Sequence, residues 1–232
     1  MRFRSSPVRA TLLTATALGC LVAACIGAPQ AQAQFVCIGS FAGGGPVLAG
    51  TATDASSMAC GTGATATGDF ATATSANATA NGLAATATGE NSLASGTRAN
   101  ATGAGSIANG ENSTSIGTRS IANGTNTTAL GGPGTLANAN AATAIGQGAT
   151  VAAGATGGSA FGQGATVSGM NGTAIGVGAV AAFAGSTAIG AGAVTTAPNQ
   201  MLFGTASSTY VAPGITSAAS RAAQSGALQI VT

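Results

Sequence analysis

Glycine recurs every seven residues through the first half of the repetitive region, at positions 61, 68, 82, 89, 96, 103, 110, 117, 124 and 131, and Ser75 fills the single gap. Two residues before each marker from Gly68 to Gly131 the side chain is small, running Ala66, Ala73, Ala80, Ala87, Ala94, Ala101, Ala108, Ser115, Ala122 and Ala129. A heptad of this kind is no coiled coil, because coiled coils need two large apolar positions per seven residues and avoid glycine. Collagen is excluded too, since its glycines come every third residue. What remains is a chain of short extended segments, each closed by a turn glycine.

The large apolar residues double the period. Leu93, Ile107 and Ile121 stand three residues before alternate glycines, and Ile116 and Leu130 stand one residue before the others. The unit is therefore fourteen residues with two unequal halves. A second block continues it with Ile145-Gly146, Phe161-Gly162, Ile175-Gly176, Ile189-Gly190 and Phe203-Gly204. The steps of 15 residues from Gly131 to Gly146 and 16 from Gly146 to Gly162 read as insertions in turns, which a solenoid tolerates on one edge. Two short strands and two turns per unit describe a parallel β-solenoid. Stacked at about 4.8 Å, about ten coils from Gly61 to Gly204 make a rod roughly 50 Å long.

In an extended strand, the positions one and three residues before a glycine share a face and the position between them opposes it. The larger residues, Leu93, Ile107, Ile116, Ile121, Leu130, Ile145, Phe161, Ile175, Ile189 and Phe203, are expected to fill the coil interior. The small face is then expected to pack against identical chains, because so thin a coil buries little area by itself.

Chemistry is scarce. The chain of 232 residues has 38 Gly, 4% charged residues, 3% aromatic residues and no His. Lysine is absent as well, and the carboxylates Asp54, Asp69, Glu90 and Glu111 stand at least fifteen residues apart. Hydroxyls abound, but a serine or threonine needs an adjacent base to act as a nucleophile. No catalytic, cofactor-binding or metal-binding residue is therefore nominated. The Gly-Gln-Gly copies at 146–148 and 162–164 lack the second half of a nucleotide fingerprint and read as turns. The sequons at Asn77, Asn100, Asn112, Asn123, Asn126 and Asn171 follow from Asn in turns ahead of Thr in strands. The Thr-x-Thr triplets at 65–67, 72–74 and 86–88 raise ice binding as a third-ranked function, but the pattern lapses after Thr88.

The first 33 residues have a different character. Arg2, Arg4 and Arg9 precede an apolar stretch from Thr11 to Gly27, and Ala31-Gln32-Ala33 precedes Gln34. This is the layout of a secretory signal peptide cut between Ala33 and Gln34. Val22-Ala23-Ala24-Cys25 offers a competing lipoprotein-type site. Removal of residues 1–33 leaves three arginines against four carboxylates, a net charge of −1 with no electrostatic footprint for nucleic acid. It also leaves Cys37 and Cys60, which an oxidising compartment is expected to join across an irregular segment, residues 34–60.

Asn112-Ser113-Thr114-Ser115-Ile116-Gly117 and Asn126-Thr127-Thr128-Ala129-Leu130-Gly131 resemble the Asn-Ser-x-Ala-Ile-Gly phrase of the head repeats of YadA-type trimeric autotransporter adhesins. Weaker copies end at Gly146, Gly176 and Gly190, so the resemblance covers residues 61–204. It implies a left-handed parallel β-roll, a side-by-side homotrimer and a bacterial surface location, with host matrix or other cells as partners and no cofactor. Thr67, Thr74, Thr88 and Thr102 depart from it, since the family prefers Ile there. Residues 205–232 read as a connector too short for the four strands of the family's membrane anchor. An adhesin head is the expected function, with a structural rod or head fragment lacking a ligand as the alternative.

Overall fold

The structure is a computed structural model that describes residues 35–36, 38–39, 47–48 and 50–211, with side chains from residue 50. It is all-β: a parallel solenoid of about eleven turns with coils of about fourteen residues. Its strands are two or three residues long and form a 12-stranded sheet and a 10-stranded sheet, with a separate antiparallel pair, Ile38–Gly39 and Val47–Leu48. Each coil runs from a strand of the longer sheet through a turn (turn a) to the shorter sheet, then through a second turn (turn b) to the next rung. In one rung these parts are Thr114–Ile116, residues 117–120, Ile121–Ala122 and residues 123–127.

Stacking is in register. Leu93, Ile107, Ile121 and Leu136 follow one another on the shorter sheet, and Thr102, Ile116, Leu130 and Ile145 do so on the longer one. The turns join the ladder as well: Asn112 N–H donates to Thr97 O at 2.8 Å and Gly117 N–H to Thr102 O at 2.8 Å. Most of the backbone polarity of a thin coil is thereby satisfied by the rungs on either side.

The core lies inside the coil, and it reverses the expected sidedness. Ala94, Ala101, Ala108, Ala122, Ala129 and Ser115 are fully buried between the two sheets. Leu93, Ile107, Ile121, Ile145, Phe161 and Ile189 point outward and are half-buried, while Ile116, Leu130, Ile175 and Phe203 are exposed at 37%, 40%, 41% and 48%. The cause is size. Strands this short, closed by turns at both ends, bring the sheets too close for anything much larger than a methyl or hydroxymethyl group.

Departures from that rule are compensated. Val151 and Val167 take inward places that are Ala in neighbouring rungs, and Gly158 and Gly172 face them, where other rungs carry Ala, Ser or Thr. At the last rung Leu202 sits in register with Ala188 and packs on the core, widening the plug where the longer sheet ends.

The regular rod also starts earlier than Gly61. Gly50–Ala52 pairs with Ala64–Ala66, and Met58–Cys60 with Thr72–Thr74, with Ala52, Ser57 and Ala59 buried as in later coils. Low similarity to the repeat phrase hid this coil. The longer turns at 131–135 and 152–158 absorb the extra residues and leave Ile121 opposite Leu136 and Thr143 opposite Thr128 and Ser159.

Candidate functional site

Inward side chains are inaccessible, so any contact with a partner falls to the outward columns and the two turn edges. Beside turn a the longer sheet shows Thr74, Thr88 and Thr102 on lower rungs, then Ile116, Leu130, Ile145, Phe161, Ile175, Ile189 and Phe203. Across the same turn the shorter sheet shows Thr65 and Thr79, then Leu93, Ile107, Ile121 and Leu136. Toward turn b both sheets are polar, with Thr114, Thr128 and Thr143 on the longer sheet and an asparagine column on the shorter.

That asparagine column is hydrogen-bonded along the rod. Asn109 Nδ2 donates to Asn123 Oδ1 at 2.8 Å, and Asn123 Nδ2 donates to Asn138 Oδ1 at 2.7 Å. Below them Thr67 Oγ1 donates to Asn81 Oδ1 at 2.8 Å. Turn b carries a second ladder, in which Arg98 Nε donates to Asn112 Oδ1 at 2.6 Å and Asn112 Nδ2 to Asn126 Oδ1 at 3.0 Å. Arg98 also pairs with Glu111 at 3.1 Å, an exposed contact of small energetic weight. The recurrence of Asn at fourteen- and fifteen-residue intervals is a readable signal for these ladders, although the sequence pattern suggested only turn residues at Asn112, Asn123 and Asn126.

The turn glycines fall into two populations. Gly89, Gly103, Gly117, Gly146, Gly162, Gly176 and Gly190 lie in turn a with φ between 119° and 133°, which disfavours any L side chain. Gly204 has φ of 67°, and Gly131 is held by the close approach of Thr135 Oγ1 and the Gly146 carbonyl. Gly68, Gly82, Gly96, Gly110 and Gly124 lie in turn b, where a Cβ would stand 1.9 to 2.1 Å from a carbonyl oxygen of the next rung. Ser75 occupies a turn a marker position at φ of 106°. Four of the sequon asparagines, Asn77, Asn112, Asn126 and Asn171, hold left-handed turn positions with φ of 53° to 56°.

Charge is sparse on this surface. Glu90 and Arg119 line a shallow depression of about 370 Å³ on turn a, together with Asn91, Ala104, Gly105 and Thr118. Asp54 begins the first turn b and accepts hydrogen bonds from the hydroxyl and the backbone N–H of Ser56, which hold its carboxyl below the usual aspartate value. Among the described residues no group of His, Cys, Asp and Glu could hold a metal ion, and no helix is long and apolar enough to cross a membrane. Cys60 is disulfide-bonded. Its expected partner Cys37, the cleavage site Ala33–Gln34 and Cys25 lie outside the described residues.

Such a surface offers repeated amide, hydroxyl and apolar columns at one-rung spacing, and among the described residues no set of reactive groups converges. The chain matches none of the curated proteins with which it was compared. Six stretches match the YadA head domain repeat, at residues 52–74, 73–99, 87–110, 108–132, 153–179 and 168–193. The first begins where the structure begins its regular coils, and the gap at 133–152 is crossed by strands in unbroken register. Together the matched stretches span more than half of the chain, which belongs to the YadA head domain repeat family.

Proposed function

We propose that the chain is the head of an exported, surface-located adhesin that works as a homotrimer and performs no catalysis. The carrying observation is the repetition of outward columns, in which runs of like side chains such as Ile116, Leu130 and Ile145 or Asn109, Asn123 and Asn138 recur at about 4.8 Å intervals. A partner that is itself repetitive, such as an extracellular-matrix fibre or a cell surface, can engage many weak contacts at once and gain by avidity. Three chains multiply that gain. The coils wind left-handed, as the family resemblance implies, and residues 1–33 direct export before removal after Ala33. The absence of His from the whole sequence and the wide spacing of its carboxylates support a non-catalytic role.

A binding panel tests this reading. The purified chain is expected to bind immobilised extracellular-matrix proteins or intact cells, with apparent affinity falling at least about tenfold when it is held as a monomer. Uniformly absent binding would favour the second reading, a structural rod without a ligand, for which the nearly uncharged surface speaks.

A further inference from the structure

We infer that Asn109 and Asn123 are self-modifying positions, at which the side-chain amide is lost to the backbone nitrogen of the following glycine and the neutral column acquires carboxylates. The site lies within one chain and does not depend on what the surface binds.

Two separate demands of the fold create it. The outward column beside turn b takes Asn for hydrogen bonds along the rod. The next position takes Gly, because a Cβ on Gly110 or Gly124 would stand 1.9 or 2.1 Å from a carbonyl oxygen of the next rung. Where the two columns run side by side, the dipeptide is Asn-Gly. Asparagine is a thermolabile residue, and a glycine after it brings no side chain to keep its backbone nitrogen away from the amide carbon. The sequence holds four such pairs, at 81–82, 109–110, 123–124 and 171–172, whereas Asn138 at the end of the ladder is followed by Ala139.

The structure separates these pairs. The nucleophile is the glycine nitrogen after loss of its proton, so a hydrogen bond donated by that N–H protects the asparagine before it. Gly172 N–H donates to Gly169 O at 3.1 Å, and Gly82 N–H keeps a longer bond of 3.4 Å to Ala94 O. The N–H groups of Gly110 and Gly124 donate to no partner. Both preceding side chains, Asn109 and Asn123, are exposed. Asn109 is held by the one bond that it donates to Asn123, while Asn123 accepts that bond and also donates to Asn138. Attack requires the side chain to leave the ladder and turn its carbonyl carbon to the glycine nitrogen, a local opening that costs less at Asn109.

Hydroxide takes the Gly110 proton, the nitrogen bonds to Asn109 Cγ, and the Cγ–Nδ2 bond breaks. Nδ2 takes a proton from water, which restores the hydroxide, and departs as ammonia. Water then opens the succinimide, with nothing oxidised or reduced. Cleavage of the new N–Cγ bond leaves aspartate, and cleavage of the original peptide bond leaves isoaspartate, whose main chain runs through Cβ and Cγ. Either product is anionic and has lost the Nδ2 donor to Asn123 Oδ1. The isoaspartyl form also lengthens the backbone at a residue whose N–H is bonded to Ala122 O at 2.9 Å. The amide column therefore turns acidic as the protein ages.

Peptide mass mapping after acid-stable proteolysis tests this on the full chain, folded and incubated in mildly alkaline buffer, with isoaspartate located by fragmentation. The expected result is conversion at Asn109 first, at Asn123 next and at Asn171 several-fold more slowly, with rates rising in proportion to hydroxide. Asn123→Ala, which releases Asn109 from the ladder, should speed conversion at Asn109 several-fold, and Asn138→Ala should do the same for Asn123. In urea the four pairs should react alike. Folded chain in which Asn171 converts as fast as Asn109, or in which Asn109 stays intact while the urea-unfolded chain reacts, overturns the inference. Unaltered rates in both ladder variants overturn the order assigned to the two sites.

Discussion

Val167 and Gly172 share one slot inside the coil, for a Cβ placed on Gly172 would stand 2.9 Å from Val167 Cγ1. The interior has a fixed capacity, and a branched side chain on one sheet is matched by a bare backbone opposite. Gly172→Ala is expected to destabilise the chain by about 1–3 kcal/mol through overpacking. The added substitution Val167→Ala is expected to restore most of that loss. Urea unfolding of the two single variants and the double variant checks this, and additive losses would remove the shared-slot account.

Turn glycines are expected to respond with opposite sign according to their cause. Gly96→Ala drives a methyl to 1.9 Å from the Gly110 carbonyl oxygen, a backbone atom that cannot swing away. About 3 kcal/mol of stability should be lost. Ser75→Gly relieves a non-glycine residue held at φ of 106° and should raise stability by about 1 kcal/mol. Thermal unfolding of the pair measures both, and a neutral Gly96→Ala would contradict the close stacking of turn b.

Two buried hydroxyls, Ser106 Oγ and Ser113 Oγ, have no hydrogen-bond partner. Equivalent places in other rungs hold alanine, including Ala149 and Ala165 for Ser106 and Ala85 and Ala99 for Ser113. Ser106→Ala or Ser113→Ala should therefore stabilise the chain by about 1 kcal/mol. Ser120→Ala, which breaks the 2.7 Å contact with Ser115 Oγ, should cost about 0.5–1.5 kcal/mol. Equal shifts in the denaturation midpoint for Ser106→Ala and Ser120→Ala would count against this bookkeeping.

The asparagine column can be cut at one rung. Asn123→Ala removes both the bond accepted from Asn109 and the bond donated to Asn138. Because the amides are exposed, the expected loss is no more than about 1 kcal/mol. Hydrogen exchange should nonetheless quicken at the backbone amides of residues 123 and 138 relative to residue 81. Unchanged exchange at both sites would show that the ladder adds no local order.

Strong acid is expected to weaken the turn that Asp54 and Ser56 hold together. Ser56 stabilises the ionised form of Asp54, so its folded pKa lies below the usual 3.8. The contribution is complete above pH 3.8 and is lost as the pH falls through the lower, folded value. Circular dichroism melts of the wild type and of Asp54→Asn should differ by a constant amount from pH 8 to pH 5 and converge below the aspartate range. A difference that persists undiminished at pH 2 would contradict the role given to Ser56.

Much of this architecture is written plainly in the chain. The fourteen-residue unit, the turn positions and the harmless insertions after Gly131 and Gly146 follow from counting. Sidedness does not, because alternation shows which residues share a face without showing which face is enclosed. Ile107 and Ile121 looked like interior residues only by analogy with thick cores. The telling signal was variance: the enclosed positions keep to Ala, Ser, Thr or Gly, with rare Val, whereas the open column runs Thr102, Ile116, Leu130, Ile145 and Phe161. A slot of constant width fixes its occupant, and an open face does not. The asparagine ladders stayed hidden for a related reason, since their function depends on neighbours a full unit away.

The backbone hydrogen bonds that join rungs connect residues twelve to seventeen positions apart, so each coil is answerable only to the two beside it. Length in such a molecule is counted rather than negotiated. Duplicating or deleting one unit moves the tip by a single step of about 4.8 Å and leaves the cross-section of the rod untouched. The reach of the tip from its base can therefore be reset by unequal recombination within the repeats, with no new core to design.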